Sequence, residues 1–463
     1  MPQTQVQSTK PALLRQLGFF SATALVISNM VGTGIFATTG FMAGDLGSAG
    51  LILACWTAGA VVAFAGALSY SELGINFPSS GGEYVYLTHA YGQEWGFMTG
   101  WVSFFAGFSA PIATTALAFS EYLSYFFPGL KQANAPLVIG SGAFSLRLGG
   151  GQAVASLLIA AFTILNCFGL GRAAKVQNVL TSTKLIVIAG FVVLGFAAGS
   201  GSWNYFSETA VRTSAASLPA QFGISLLWVM FGYSGWNAAT YVAEEVRRPE
   251  RTLPVALAAG TGIVAVLYLA LNLVYIYSTP LQNMKGVIAV GSLAASNLFG
   301  ASIGGLFSAL MAASIMATTN AEVTIGPRVY YAMAKNRAFF TAAAAVHPRW
   351  HTPVVAILSQ GLCAMLMTLT PFPELLTYIG FSLVLFTVLS VASLFVFRRR
   401  RQDWQRLRAV DFAFPLIPAL YILVGVAMMI YGVILRPVAS LTALATVGAG
   451  ALVYRFGVRA RQS

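Results

Sequence analysis

The sequence predicts an all-α integral membrane protein with about twelve transmembrane helices. Hydrophobic residues make up 57% of the 463 residues and charged residues only 8%, whereas about 25% of the residues of a soluble domain are charged. Apolar windows long enough to cross a bilayer follow one another along almost the whole chain. Two of these windows are interrupted in the middle by small residues, and that interruption bears on function.

Each predicted span is an apolar window of about 20 residues or more, the length that a helix needs to cross the hydrocarbon core. In chain order the windows are 19–44, 49–74, 95–127, 153–171, 175–198, 220–244, 254–278, 303–334, 352–370, 374–397, 412–435 and 439–457. Residues 1–18 are predicted to form a polar tail without the apolar core of a signal peptide. A basic loop at 398–411 and a short tail at 458–463 complete the predicted organisation.

The lysines and arginines lie mostly on one side of the predicted membrane. With the loops numbered alternately, 20 of them fall on the side of the two termini and 5 on the other, and Lys184 lies inside a span. The positive-inside rule therefore predicts that both termini are cytoplasmic. This distribution accounts for the net charge of +13 without a nucleic-acid partner, and the basic loop is expected to lie near anionic lipid headgroups.

Spans 1 and 6 are both interrupted, at residues 30–36 (MVGTGIF) and 231–236 (FGYSGW). A helix in hydrocarbon does not give up backbone hydrogen bonds unless the freed groups face a cavity or a ligand. Two such breaks about 200 residues apart are typical of secondary transporters built from inverted repeats. We therefore predict one repeat at 19–198 and a second at 220–397, followed by two further helices at 412–457. The sequence contains no GxxxxGK[ST] loop for ATP.

The first break offers groups that bind a carboxylate. A new helical run begins after it, and the free N–H groups at or after Thr33, Gly34 and Ile35 lie at the positive end of the helix dipole. Gly32 and Gly34 lack a Cβ atom, which permits unusual dihedral angles and close approach of a ligand. The Thr33 hydroxyl can donate a further hydrogen bond. The alternative interpretation is that the glycines only allow helices to pack closely.

The second break complements the first. Carbonyl oxygens freed near Met30, Phe231 and Ser234 are acceptors that suit an ammonium group. An α-amino acid carries a carboxylate and an ammonium on one carbon, and so matches opposed donors and acceptors. Asn237 follows the second break, where its amide either hydrogen-bonds the substrate or holds span 1 against span 6.

Five short motifs occur along the chain in a recognisable order. They are residues 32–36 (GTGIF), 77–84 (FPSSGGEY), 231–237 (FGYSGWN), 244–246 (EEV) and 247–251 (RRPER). Together they resemble the amino acid–polyamine–organocation superfamily, and most closely its L-type amino acid transporter branch. The resemblance implies the leucine-transporter fold, with spans 1–5 and 6–10 as a 5+5 inverted pair and two extra helices. It also implies that the breaks bind the α-carboxylate and α-amine, and that Phe231 is a lid over the substrate.

One departure from that branch concerns partners. Its eukaryotic members join a glycoprotein heavy chain through a cysteine between spans 3 and 4, whereas the corresponding loop at 128–152 contains no cysteine. We therefore expect a stand-alone transporter in a bacterial-type inner membrane, without a disulfide-linked heavy chain. Cys55, Cys167 and Cys363 lie in apolar windows, where they are interpreted as small buried residues rather than metal ligands. No cofactor is expected.

Two ionisable side chains lie well inside spans, where each costs about 2.5–3.5 kcal/mol on insertion scales. Lys184 in span 5 either extends its ammonium to the cytoplasmic surface or, as the resemblance implies, occupies the ion position of sodium-coupled relatives. The second interpretation predicts sodium-independent exchange or proton coupling. Four interpretations of Glu322 in span 8 stay open: it pairs with Lys184, selects a cationic or polar substrate side chain, accepts a proton, or faces a neighbouring helix.

Glu244 and Glu245 end span 6 beside Arg247, Arg248 and Arg251. These carboxylates are either a solvated charged face, where a single pair contributes about 0–1 kcal/mol, or part of an intracellular gate. The gate is what the family resemblance implies.

The sequence therefore predicts a secondary active amino acid transporter that works by alternating access. An enzyme is not expected, since neither a nucleophile–base pair nor a metal cluster is apparent. A polyamine or other organic-cation transporter of the same fold is the alternative that Glu322 favours, while the carboxylate-binding GTG motif argues against it. A sensor that binds amino acids without moving them is disfavoured because no sizeable soluble domain is predicted.

Overall fold

A computed structural model describes residues 17–79, 81–141, 145–168, 186–335, 339–348, 350 and 352–458. Most of these residues are helical, and the sheet that they form is one short two-stranded hairpin. The predicted all-α class is confirmed.

The helices follow one another along the chain, and span 1 is made of two of them. Span 1 consists of α1 (Phe19–Met30) and α2 (Gly34–Leu46), and it is followed by α3 (Ala49–Asn76), α4 (Glu83–Tyr91), α5 (Gln93–Leu123), α6 (Gly150–Cys167) and α7 (Ile186–Ala198). Next come α8 (Leu218–Gly232), α9 (Pro249–Ser278), α10 (Leu281–Met284), α11 (Val290–Phe299), α12 (Ala301–Lys335), α13 (Val354–Met367) and α14 (Phe372–Arg400). The last helices are α15 (Arg408–Phe412), α16 (Leu416–Leu435) and α17 (Pro437–Val453).

Shorter helical segments connect or extend these helices. The 3-10 segments are Pro128–Leu130, Gln132–Asn134, Trp203–Phe206, Ala238–Glu245 and Thr341–Ala344, and the π-helical segments are Ser103–Ser109 within α5 and Tyr454–Val458 after α17.

The helices agree with the predicted spans. Within the described ranges, eight helices are long and apolar enough to cross a membrane, namely α3, α5, α6, α9, α12, α14, α16 and α17. The pair α1 and α2 is long enough as one span bent by 41°. The shorter apolar helices α7, α8 and α13 lie in the three remaining windows. A chain of about twelve spans, as its windows predict, is therefore confirmed.

Several elements between the spans do not appear as apolar windows of spanning length. α4 follows span 2, and α10 and α11 lie between spans 7 and 8, where both contact α2. Strand β1 (Leu137–Ile139) pairs antiparallel with β2 (Leu146–Leu148) between spans 3 and 4. The helices α10 and α11 therefore cover one end of α2. The hydropathy pattern alone does not indicate them.

Helix α9 organises the centre of the bundle. It packs along both α3 and α1, while α2 packs against α8. These contacts bring the interruption of span 1 against the end of α8, where span 6 is interrupted. The two predicted breaks thus meet in the interior.

A buried ion pair fastens the segment after α14 to span 2. Glu72 near the end of α3 is completely buried, and Arg398 donates to both of its carboxylate oxygens at 2.7 Å. The indole N–H of Trp404 and the backbone N–H of Leu407 donate to the same carboxylate at 2.8 and 3.0 Å. Arg398 also donates to Asp411 at 2.9 Å. The Glu72 carboxylate is therefore both neutralised and fully hydrogen-bonded.

This ion pair changes the interpretation of the basic loop predicted at 398–411. α14 continues through Arg400, so the first residues of that loop are helical, and Arg398 is directed into the protein. The other arginines of this segment are exposed: Arg399, Arg400, Arg401, Arg406 and Arg408. They remain available for the predicted contact with lipid headgroups.

We expect Arg398→Ala to destabilise the folded protein by about 3–5 kcal/mol, because it leaves the Glu72 carboxylate buried without its cation. Thermal unfolding in detergent would show this as a large drop in the melting temperature. Arg399→Ala removes the same charge from an exposed position and should change stability by less than about 0.5 kcal/mol. Equal melting temperatures for the two variants would contradict a structural role for the ion pair.

Candidate functional site

Span 1 is interrupted between Met30, the last residue of α1, and Gly34, the first residue of α2. Val31 leaves the helical region with a ψ of 82°, and its N–H still bonds to the carbonyl of Ile27 at 3.0 Å. The helix axis changes direction by 41° across this break. Backbone groups are thereby released in the interior of the bundle, as the sequence predicts.

The start of α2 presents hydrogen-bond donors that no described carbonyl satisfies. The N–H of Phe36 bonds back to the carbonyl of Thr33 at 3.1 Å, but no backbone carbonyl of the described residues accepts from the N–H groups of Thr33, Gly34 or Ile35. The hydroxyl of Thr33 is buried and likewise has no partner within the described chain. Unpaired donors at a helix N-terminus suit a carboxylate group.

Span 6 is interrupted where α8 ends at Gly232. The chain turns through residues 233–237 and continues as the 3-10 segment Ala238–Glu245. The N–H of Ser234 donates to the carbonyl of Phe231 at 3.0 Å. This predicted acceptor therefore also closes the turn, and its second lone pair is what it can offer to a ligand.

The two breaks are in direct backbone contact. A Cβ atom on Gly34 would lie 2.4 Å from the Cα of Gly232, and one on Gly232 would lie 2.9 Å from the ring of Trp56. Gly235 has a φ of 97°, and a Cβ there would lie 2.8 Å from the backbone of Asn29. Glycine is required at these positions because a side chain at Gly34 or Gly235 would separate spans 1 and 6, and one at Gly232 would overlap Trp56 of span 2.

One hydroxyl group in α9 joins the breaks. The Tyr268 hydroxyl lies 2.5 Å from the carbonyl oxygen of Met30 and 3.1 Å from that of Gly232. The Tyr268 ring packs against the rings of Trp56 and Tyr233, with centroids 5.4 and 5.2 Å away. The last carbonyl of α1 and the last carbonyl of α8 are thus held by a single residue of span 7.

At the far end of α2, the loop before α8 lies over span 1. Asp45 accepts hydrogen bonds from the Thr213 hydroxyl and the Gln221 amide, both at 3.0 Å. The N–H of Ala210 donates to the carbonyl of Gly47 at 2.9 Å. Most residues of α2 are buried under this loop and under α10 and α11. The site is therefore covered at the end of span 1 that lies next to Gly47.

Asn237 is buried, and its side-chain amide is bound by the protein itself. The amide nitrogen donates to Glu83 Oε1 at 2.5 Å and to the Tyr241 hydroxyl at 3.2 Å. Glu83 begins α4, so these bonds connect the second break with α4 rather than with span 1. The structure adds a link to the helix after span 2, and the two predicted roles of Asn237, towards the substrate and between spans 1 and 6, stay predictions.

Glu322 lies in α12 and is half-buried. The hydroxyl of Thr115 in α5 lies 3.3 Å from Glu322 Oε2, and the hydroxyl of Thr319 donates to Thr115 at 3.0 Å. The structure thus places Glu322 against span 3 within a short chain of hydroxyl groups.

Three further predicted residues concern ion coupling and gating. Lys184 lies outside the described residues, and the side chains of Glu244 and Glu245 do as well. The predicted pairing of Lys184 with Glu322 and the predicted gate therefore remain predictions.

The sequence profile of the family described as "Amino acid permease" matches residues 17–452. The chain belongs to the amino acid permease family. The matched range includes both breaks, Glu83 and Glu322, and the helices make this permease a multi-pass membrane protein. The resemblance that the five motifs indicate is confirmed at the level of the family.

This permease is similar to transporters from bacteria and mammals. It is 30% identical over 417 residues to the serine/threonine exchanger SteT of Bacillus subtilis (strain 168), a match that covers 89% of each chain. The large neutral amino acids transporter small subunit 2 of Mus musculus is 28% identical, with 96% of this permease and 82% of the relative covered. The b(0,+)-type amino acid transporter 1 of Mus musculus is 27% identical, with 94% and 85% covered.

Two residues of the site are not singled out by sequence reasoning. Glu83 lies within the motif at 77–84, and a carboxylate that follows an apolar span was a signal that could have indicated a functional residue. Most of its neighbours in space, however, are distant in sequence. Tyr268 is one of 18 tyrosines in the permease, and no local pattern distinguishes it. Its role depends on two carbonyl groups from two other spans.

We expect Gly34→Ala to destabilise the permease by about 1–3 kcal/mol or more, because the new methyl group overlaps the Gly232 backbone. Gly32→Ala is the matched variant, since a Cβ there would lie 3.9 Å from its nearest neighbour, the carbonyl oxygen of Met30. Thermal unfolding in detergent should show a lower melting temperature for the first variant and little change for the second. An unchanged melting temperature for Gly34→Ala would mean that the two breaks are not in contact.

Proposed function

We propose that this permease exchanges α-amino acids across the cytoplasmic membrane by alternating access around the two breaks. The observation that carries this proposal is the start of α2, where the Thr33 hydroxyl and the neighbouring N–H groups are unpaired within the described chain. These donors face the end of α8, from which carbonyl acceptors are released. The similarity to an exchanger and to amino acid transporters supports the same reading.

In the proposed complex the substrate carboxylate accepts hydrogen bonds from the N–H groups of Gly34 and Ile35 and from the Thr33 hydroxyl. The substrate ammonium donates to carbonyl oxygens near Phe231 and Ser234. The carbonyl of Met30 already accepts from the Tyr268 hydroxyl and from the N–H of Gly32, so it would bind the ammonium only in exchange for one of these donors. The side chain of Phe231 is the proposed lid.

The class of substrate side chain is proposed to depend on Glu322 in α12 and on the hydroxyl groups beside it. The names of two relatives, a serine/threonine exchanger and a large neutral amino acids transporter, favour neutral substrates. The hydroxyl groups of Thr115 and Thr319 suit a small polar side chain. Glu322 beside them favours a cationic side chain instead, and it is the observation that keeps a cationic amino acid or a polyamine as the second candidate.

Both termini are proposed to be cytoplasmic, and the permease to act in a bacterial-type inner membrane without a disulfide-linked heavy chain. In that orientation the buried helix α2 and the loop over Asp45 close the site to the outside. Exposed residues of α1, such as Phe20 and Ala24, belong to the inner half of span 1. Opening towards the cytoplasm would then move α1, with Glu244 and Glu245 as the proposed gate.

The direct test is uptake of labelled amino acids into sodium-free proteoliposomes that are either empty or preloaded with an amino acid mixture. Lys184 at the proposed ion position predicts transport without sodium. Accumulation only in preloaded vesicles would establish exchange, and accumulation in empty vesicles under an inward proton gradient would establish proton symport. Uptake of serine, leucine, arginine and putrescine in parallel separates the two candidate substrate classes. If none of these compounds is transported into either empty or preloaded vesicles, the proposal fails.

We expect Thr33→Val to raise the half-saturation constant for exchange about ten-fold or more, because a hydrogen bond to a charged group contributes about 1.5–3 kcal/mol. Thr261→Val in α9 is the matched control, since that hydroxyl is also buried without a partner among the described residues and is not placed in the site. The half-saturation constant of the control should equal that of the wild type. Equal constants for all three proteins would remove Thr33 from the carboxylate site.

A further inference from the structure

Glu83 is a buried carboxylate on which three parts of the permease converge. Its side chain belongs to α4 and is 5% exposed. Oε1 accepts hydrogen bonds from the Tyr70 hydroxyl of α3 at 3.0 Å and from the Asn237 amide at 2.5 Å. Oε2 accepts from the Tyr241 hydroxyl at 2.5 Å. The carboxylate therefore joins span 2, α4 and the segment that follows the break in span 6.

These partners donate hydrogen bonds but supply no positive charge. In the described part of the chain, no Lys, Arg or His nitrogen lies within 4.0 Å of the Glu83 carboxylate. The titratable groups that face it are the phenols of Tyr70 in α3, Tyr86 in α4, Tyr241 after the second break and Tyr421 in α16. A phenol is neutral near neutral pH, so within the described chain the Glu83 anion is stabilised by hydrogen bonds and by its place in the first turn of α4, without a neighbouring cation.

Burial raises the pKa of Glu83 above its usual value, although the hydrogen bonds from Tyr241, Tyr70 and Asn237 oppose that rise. A buried anion without a cation is costly, and taking up a proton is the usual way to relieve that cost. The group is thus suited to titrate at a pH above that of an exposed glutamate.

We propose that Glu83 is a proton-binding site whose occupancy controls the position of Asn237 beside the second break. This inference rests on the proposed function, because Asn237 borders the proposed substrate site. On protonation a proton passes from the water on the inner side to Oε2 of Glu83, and on deprotonation it returns to that water. No other bond forms or breaks in this step.

The arrangement of hydrogen bonds shows how the proton would act. The ionised carboxylate accepts from all three neighbours, and hydrogen bonds to an ionised acceptor are about twice as strong as neutral ones. Once Oε2 carries a proton it becomes a donor, and the Tyr241 hydroxyl must then accept from it or turn away. Asn237, which donates to Oε1 and also to Tyr241 at 3.2 Å, then has a neutral and weaker acceptor at Oε1, and its position is held less firmly. Acidification therefore weakens substrate binding.

The proton site is tested first without substrate, by infrared difference spectroscopy of the full-length permease during a pH titration. The difference between the wild-type and Glu83→Gln spectra should isolate the carbonyl stretch of the protonated Glu83 carboxyl group, which grows in with a midpoint above that of an exposed glutamate. Tyr70→Phe should move the midpoint to higher pH, because it removes a donor to the anion. Glu94→Gln, at an exposed position, should leave the band unchanged. Identical titrations of the wild type and Glu83→Gln, or an unshifted midpoint in Tyr70→Phe, would overturn the assignment.

The effect on the substrate site is tested by exchange measured at a series of pH values. The half-saturation constant of the wild type should rise on acidification over the range of the infrared titration, and Glu83→Gln should show no such dependence. The same pH dependence in both proteins would overturn control of Asn237 by Glu83. An infrared titration as expected in a permease that transports no amino acid would instead leave the proton site intact and refute the proposed function.

Discussion

The backbone contact between Gly34 and Gly232 is the constraint on which the rest of the site depends. Each residue is the terminal residue of a helix at a break. A Cβ atom on Gly34 would displace Gly232 of span 6, and one on Gly232 would displace Trp56 of span 2. Because the breaks touch, the Tyr268 hydroxyl reaches the last carbonyl of α1 and that of α8 at once. The donors at the start of α2 consequently face the acceptors at the end of α8.

Breaking two helices in the interior releases donors and acceptors in equal measure, but the protein satisfies them unequally. Acceptors at Met30, Phe231 and Gly232 already receive hydrogen bonds from Tyr268 or from the turn after α8. The Thr33 hydroxyl has no such partner in the described chain. A buried unpaired donor costs about 1–3 kcal/mol, and a ligand with a carboxylate would remove that cost. This imbalance favours a substrate that brings an anion into the site.

Two buried glutamates show how the same side chain serves different purposes. Glu72 is held by the guanidinium of Arg398, so its charge is matched and its position is fixed. Glu83 is held by two phenols and one amide, so its charge is tolerated and its protonation state is sensitive to surroundings. The first fastens a loop to span 2, whereas the second lies against a segment that alternating access would have to move. Glu72 thus serves stability, whereas Glu83 is the proposed proton site.

The sequence by itself determined the membrane class, the number and position of the spans, the breaks and the family, because hydropathy and glycine interruptions are patterns of neighbouring residues. Only the tertiary structure decided which side chains meet. Asn237 and Glu83 are 154 residues apart, and Arg398 and Glu72 are 326 apart, so no local pattern could pair them. The sequence left open whether Asn237 binds the substrate or holds span 1 against span 6. In the folded permease its amide binds Glu83 of α4, because α4 folds back against the second break. Hydropathy finds where a helix crosses the membrane, whereas the partner of a buried polar group depends on how the helices are arranged in space.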